Sequence, residues 1–310
     1  MKSSRATGPA PRPGSIVTRF APAPTGHLHL GHIVNAIYVW GVARACDPHS
    51  RVLLRIEDHD RHRSQAAYES AILQDLEWLG FVADERFVRQ SERGVVYETA
   101  LDQLRARGLV YACGCSRSEI ADIRYPGTCA NKRLPESPGL GLRVRLGPTV
   151  ERFEDWLHGP QEQRPSEQCG DLLVRDRDGH WTYQFAAVVD DWMQGVTLVV
   201  RGDDLLASTG RQIQLARLVG RDGPPSFLHH PLVMKSPTQK LSKSDGDTGI
   251  RDLRAKGWTA PEVIGQAAAQ AGLIDGPRPI SAGDVPLYVK SAVRGVRLQA
   301  DQSGYPPPRA

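Results

Sequence analysis

Two short apolar runs, SIVTRF (15–20) and RVLLRI (51–56), are each followed by a helical pattern, and this alternation restricts the fold more than any other feature of the chain. The first helical stretch, GHIVNAIYVWGVARA (31–45), is apolar on most sides, which predicts a buried helix. The second, SQAAYESAILQDLEWLG (64–80), sets Tyr68, Ala71, Ile72, Leu76 and Leu79 on one face, with Ser64 as the expected cap and Gly80 as the stop. Strand, helix, strand, helix predicts an α/β fold around a parallel sheet. From about 112 to 182 the rhythm breaks into Cys-, Pro-, Gly- and Arg-rich sequence, read as an inserted subdomain. The alternation returns with TLVVRG (197–202) and STGRQIQLARLVG (208–220). TAPE (259–262) has capping-box form and opens one more helix, expected to end near Gly272. Residues 1–14 and 301–310 read as tails, which leaves one domain over 15–300 with its insert; internal repeats are absent from the sequence.

A chain of 310 residues can bury a sizeable core. A net charge of +4 permits an anionic partner without demanding one. Five cysteines, an odd number, do not suggest a disulfide framework; Cys46 and Cys169 read as small buried hydrophobes. No apolar run approaches a membrane span, and the N-terminus lacks the apolar core of a secretory signal. A soluble, cytoplasmic protein is the expectation.

The loop between the first strand and helix is RFAPAPTGHLHLGH (19–32). Prolines fix its path, and Gly26 and Gly31 let backbone turn or approach a ligand. A helix N-terminus behind such a loop is a ready anion site, and histidines there can donate to phosphate oxygens. The spacing fits neither the dinucleotide fingerprint nor the P-loop. A second stretch, MKSPTQKLSKSDG (234–246), sets Lys235, Lys240 and Lys243 among small polar residues, as mobile charges suited to phosphates. Taken singly, each stretch also fits a plainer reading, a packed turn and a solvated basic loop. In the insert, YACGCSRSEIADIRYPGTCA holds Cys113, Cys115, Tyr125 and Cys129; by spacing alone these are either ligands of a tetrahedral zinc or free structural thiols.

HLGH (29–32) and KLSKS (240–244) resemble the HIGH and KMSKS signatures of class I aminoacyl-tRNA synthetases. With RIEDHD (55–60), the loop resembles the glutamyl branch of that class, over about residues 16–250. Leucine for methionine in KLSKS conserves volume. Glutamyl- and glutaminyl-tRNA synthetases continue past this motif into an anticodon-binding domain. Here 67 residues follow Lys243, with one capped helix expected among them. That absence resembles the truncated paralogue family, the glutamyl-queuosine tRNA(Asp) synthetases.

The resemblance implies a Rossmann-type catalytic domain carrying a zinc-bearing, acceptor-binding-like insert and no anticodon-binding domain. It implies activation of L-glutamate by ATP with Mg²⁺, then transfer to the queuosine base of tRNA(Asp). It implies a glutamate site of Arg19, Phe20, Ala21, Pro22, Ala23, Glu57, Tyr183 and Arg201. His29, His32 and Lys243 would contact ATP, and these three with Lys240 would be catalytic. One structural Zn²⁺ would sit on Cys113, Cys115, Tyr125 and Cys129. Arginine suits a carboxylate through its fork, and Glu57 suits an ammonium. Asp190 and Asp191 either shape the pocket or end a helix. A monomer is expected. Still open are a shortened synthetase that charges a tRNA 3′ end, a non-catalytic glutamate- or RNA-binding paralogue, and a general basic RNA-binding module.

Overall fold

The first apolar run becomes β1 (Val17–Phe20), buried throughout, and the proline-rich loop carries it into α1 (Leu30–Cys46). The structure is a computed structural model and describes residues 15–116, 118–120, 124–236, 239–240 and 249–293. The expected tails at 1–14 and 301–310 therefore lie outside the described residues. Ten residues of α1 between Ile33 and Ala43 are buried, as its all-round apolarity predicts.

β2 (Arg51–Ile56) pairs parallel to β1, and after α2 (Ala66–Leu79) the short β3 (Val88–Arg89) pairs parallel to β2. Gly80, in the left-handed region at φ 81°, ends α2 as expected. Ser64 does not cap it. The N-cap is Gln65, whose N–H donates to Pro24 O at 3.0 Å, and Ser64 Oγ is buried without a hydrogen-bond partner. The tie to the proline loop, rather than a local hydroxyl, fixes where this helix begins.

After α3 (Gly94–Ala106), β4 (Val110–Cys113) and β5 (Gly141–Val144) pair antiparallel. A hairpin of β6 (Glu151–Asp155) and β7 (Gly159–Gln163) follows, then the single turn α4 (Pro165–Gln168). β8 (Leu172–Arg175) completes a three-stranded antiparallel sheet in the order β4-β5-β8. The chain re-enters the main body through α5 (Tyr183–Met193), β9 (Leu198–Gly202), α6 (Thr209–Leu218) and β10 (Ser226–His230). β10 lies parallel to β9 on one side and to β6 on the other, so the β6–β7 hairpin from within the insert extends the main sheet.

The free edge of β1 faces β9. Thr197 N–H donates to Val17 O at 2.8 Å, and two residues on the Arg19 guanidinium reaches Val200 O, so the two strands run the same way. The carboxyl ends of β1, β2, β9 and β10 thus share one edge, where ligand crevices of α/β sheets form.

β11 (Met234–Ser236) and β12 (Gln239–Lys240) form a small antiparallel pair. Three helices follow where periodicity gave one: α7 (Ile250–Ala255), α8 (Ala260–Gln270) and α9 (Val285–Ala292). The expected box opens α8, with the Glu262 carboxylate accepting from Thr259 N–H and Oγ, each at 2.7 Å. α7 and α9 are too short to show a period. α9 packs on α1 so closely that a Cβ at Gly41 would meet Val289 Cγ2 at 2.8 Å.

Candidate functional site

The proline loop is held across the strand ends by its carbonyls: Pro22 O accepts from Glu57 N–H and Pro24 O from Gln65 N–H, both at 3.0 Å. His29 is the N-cap of α1, in extended backbone at φ −128°. Its Nδ1 accepts from Gly31 N–H at 3.1 Å, while His32 Nδ1 accepts from His29 N–H at 3.1 Å. A ring nitrogen that accepts carries no proton, so each neutral imidazole keeps its proton on Nε2, as a donor. The two rings lie 3.9 Å apart. A Cβ at Gly31 would fall 2.9 Å from His29 Cε1, so this glycine makes room for the capping ring.

Gly249 forms an isolated antiparallel bridge with His29, and Ile250 N–H donates to Leu28 O at 3.0 Å. The segment that leaves the lysine-rich stretch therefore returns to the histidine loop. Lys240 has its backbone in β12, opposite Met234; Lys243 lies outside the described residues.

A buried charge cluster occupies the strand ends beside the loop. Asp191 Oδ1 accepts from Arg19 Nε at 2.9 Å and from an Arg55 terminal nitrogen at 2.8 Å. Arg55 is fully buried and also reaches Gln194 Oε1 at 2.9 Å and Glu57 Oε1 at 3.2 Å. Burial alone would raise the Asp191 pKa, but Arg19 and Arg55 outweigh it and hold the carboxyl well below the usual range. At Glu57 the balance reverses. Burial raises its pKa despite Arg55, His59 and Arg19, because Arg55 divides its charge with Asp191. Glu57 is thus a buried carboxylate that a further cation would stabilise.

Arg201 is its counterpart. The residue is 5% exposed, and no carboxylate of the described residues lies within ion-pair distance of it. Its guanidinium donates to neutral acceptors: Nε to His229 Nε2 at 2.9 Å, and the terminal nitrogens to Gln212 Oε1 and, at 2.9 Å, Thr209 Oγ1. His229 can accept because its Nδ1 faces Asp155 Oδ2 at 2.6 Å, which fixes the tautomer. Burial pulls the Arg201 pKa down. Tyr183, at the first turn of α5, senses both ends: burial raises its pKa, Glu57 raises it further, and Arg201 and Arg19 oppose.

In the insert, Cys113 Sγ lies 3.4 Å from Tyr125 Oη, and the sulfurs of Cys115 and Cys129 lie 3.6 Å apart. Three sulfurs within 4.8 Å of one another, in a chain whose cysteines are free, suit a tetrahedral zinc, whose sulfur ligands stand about 3.8 Å apart. Burial opposes ionisation of Cys129, yet the Gly114 N–H and the neighbouring thiols and phenol bring its pKa down to about 7. Arg143 donates to Cys113 Sγ at 3.3 Å and stacks 3.7 Å over the Tyr125 ring, a positive charge beside a cluster that is anionic when ionised.

The structure brings Arg19, Glu57, Tyr183 and Arg201 into one electrostatic neighbourhood. It does not bring the Phe20 side chain there: Phe20 is 2% exposed and lies 5.5 Å from the Trp40 ring, in the core. Pro22 is buried, and Ala21 and Ala23 are half-buried, so this segment faces the site chiefly with backbone. Asp190 and Asp191 separate in role. Asp191 holds the two arginines, while Asp190, fully buried, takes Gln90, Arg93 and Tyr97. Cys169 is buried, but Cys46 is only half so. Sequence reasoning missed Arg55, His229, Asp155, Thr209 and Gln212. Arg55 carries a signal, a charge set between Leu54 and Ile56 in an otherwise apolar strand; Thr209 and Gln212 carry none.

A family model described as tRNA synthetases class I (E and Q), catalytic domain, matches residues 15–139 and 130–272. The chain is 44% identical over 245 residues to a glutamyl-Q tRNA(Asp) synthetase of Bordetella bronchiseptica, covering 75% of this chain and 76% of that protein. It is 42% identical over 280 residues to one from Burkholderia cenocepacia, covering 84% and 90%. In fold it is similar to a glutamate tRNA ligase from Elizabethkingia meningosepticum in complex with its amino acid, with TM-score 0.72 and 24% identity over 92% of this chain. The chain spans 65% of the length of that structure.

Proposed function

The chain belongs to the glutamyl-Q tRNA(Asp) synthetases, within the class I (E and Q) catalytic family, and on that premise we propose that it activates L-glutamate with ATP and transfers the glutamyl group to the queuosine base in the anticodon loop of tRNA(Asp). The observation that carries the glutamate reading is the mismatch of buried charge: Arg201 without an anion and Glu57 short of a cation, both sensed by Tyr183. A zwitterion with an additional carboxylate supplies what each lacks. Arg201 and Arg19 take carboxylates, Glu57 the ammonium, and residues 20–23 contribute backbone.

In the first step a glutamate carboxylate oxygen attacks the α-phosphorus of ATP. The new P–O bond forms as the bond to the β-phosphate bridging oxygen breaks, and pyrophosphate leaves. The Nε2–H groups of His29 and His32 donate to the nucleotide, and Lys240 and Lys243 offset the charge passing to pyrophosphate. The bridge from His29 to Gly249 supports the second assignment, since it anchors the end of the lysine-rich stretch beside the histidines. Positioning and fixed charge, rather than covalent chemistry, supply the rate. Mg²⁺ accompanies ATP. In the second step a hydroxyl of the acceptor attacks the acyl carbon and expels AMP.

Cys113, Cys115, Tyr125 and Cys129 would hold one Zn²⁺, which on binding would brace the insert. Among the described residues no helix is long and apolar enough to cross a membrane, and we place the enzyme in the cytoplasm. The test is transfer of labelled glutamate to tRNA with and without queuosine, before and after selective blocking of the 3′ ribose. Label confined to queuosine-bearing tRNA(Asp), and surviving the 3′ block, is the expected result. Label on tRNA(Glu), lost with that block, would instead make this a synthetase charging a 3′ end.

A further inference from the structure

His62, Asp178 and His180 bring three ligand atoms within 4.8 Å of one another, and none of the three belongs to the charge cluster or to the thiol set. They come from two turns far apart in sequence, one following β2 and one between β8 and α5. The imidazoles meet edge to face, with centroids 5.0 Å apart at 88°. A fourth residue organises two of the three. Asp176 Oδ1 accepts from Asp178 N–H at 3.0 Å and from His180 N–H at 2.8 Å, and its Oδ2 lies 3.6 Å from His180 Nδ1. Asp176 thus folds the turn that carries two of the ligands, and its carboxylate stands behind the His180 ring as an outer-shell anion.

We propose that His62, Asp178 and His180 form a second metal site, independent of the thiol cluster, for a first-row divalent transition ion such as zinc or nickel. Two imidazoles and one carboxylate suit such ions; Ca²⁺ and Mg²⁺ prefer oxygen ligands alone. His62 and Asp178 are exposed, so water completes the coordination. Bonds of about 2.1 Å set ligand atoms roughly 3–3.5 Å apart, so binding draws the two turns together by roughly 1 Å. Those turns border a cavity of about 250 Å³ lined by His59, Arg61, His180 and Trp181 among others. The ion would therefore clamp the loop that follows Glu57 to the loop that precedes Tyr183.

The test is calorimetric titration of Ni²⁺ into the full-length chain, prepared without a polyhistidine tag. A binding event that weakens more than about 10-fold in both His62→Ala and His180→Gln, weakens about 10-fold in Asp176→Asn, and persists in Cys113→Ser supports the site. Equal isotherms for wild type and both histidine variants would overturn it. So would loss in only one histidine variant, or loss confined to Cys113→Ser. His62 is exposed, so its removal tests the ligand without disturbing the core.

Discussion

Replacing Arg201 with lysine keeps the charge and removes the geometry. A guanidinium has five N–H groups, and three are engaged by His229, Gln212 and Thr209. Tyr183 also hydrogen-bonds the guanidinium, and a planar fork can turn paired N–H groups on a carboxylate where an ammonium cannot. Lysine can offer one charge-assisted bond where arginine offers two. The loss is therefore one such bond, about 1.5–3 kcal/mol, or roughly 10- to 150-fold in kcat/KM for glutamate. The interaction holds the substrate before and during activation alike, so the loss should fall mainly on KM. Glutamate-dependent exchange of pyrophosphate into ATP, measured across glutamate concentrations, reads both parameters. A melting curve run alongside shows that the variant is folded. Unchanged kcat/KM, within threefold, in a folded Arg201→Lys would refute the assignment and leave Arg201 as a structural donor to His229.

Gly31→Ala forces a Cβ against the His29 ring; about 1 kcal/mol of stability should go with the cap, and pyrophosphate exchange should fall because both donor rings shift. An exchange rate equal to wild type would show that the ring does not need that space. Cys113→Ser should leave purified protein with substoichiometric zinc by elemental analysis, and full zinc content would reject the donor set. Asp191 has a depressed folded pKa, so its contribution is present above the unfolded value of about 3.9 and is lost as pH falls through the lower folded value. Asp191→Asn should accordingly destabilise the protein by about 3–5 kcal/mol at neutral pH and flatten the acid limb of the stability profile. An acid limb as steep as in wild type would place that titration elsewhere.

The sequence displayed the parts of the fold that repeat and the parts of the site that carry unusual residue types. β2 matches its apolar run residue for residue, and α1 differs from its pattern by one residue at each end. α9 was not legible, because eight residues send only one i, i+4 pair, Val285 and Val289, into the core while Leu287 stays exposed. Ser64 misled because a hydroxyl before an apolar face resembles a cap, while the contact that decides the matter is Gln65 with Pro24, far away in sequence. The histidines, RIED and the cysteine array stood out by composition. The neutral cradle under Arg201 did not: Thr209 and Gln212 are ordinary helix residues, and only the crossing of α6 over β9 gives them a guanidinium to hold.

The seam between β1 and β9 joins residues 180 positions apart, as Val17 N–H meets Thr197 Oγ1. During synthesis at about 5–20 residues per second, the N-terminal strand waits roughly 10–40 seconds for that partner to emerge. Through that interval β1 has β2 on one side and, on the other, an edge of unpaired backbone N–H and C=O groups, a template for wrong pairing. The order of strands thus sets a lower bound on the time to the native sheet, the time taken to synthesise the residues between its two halves.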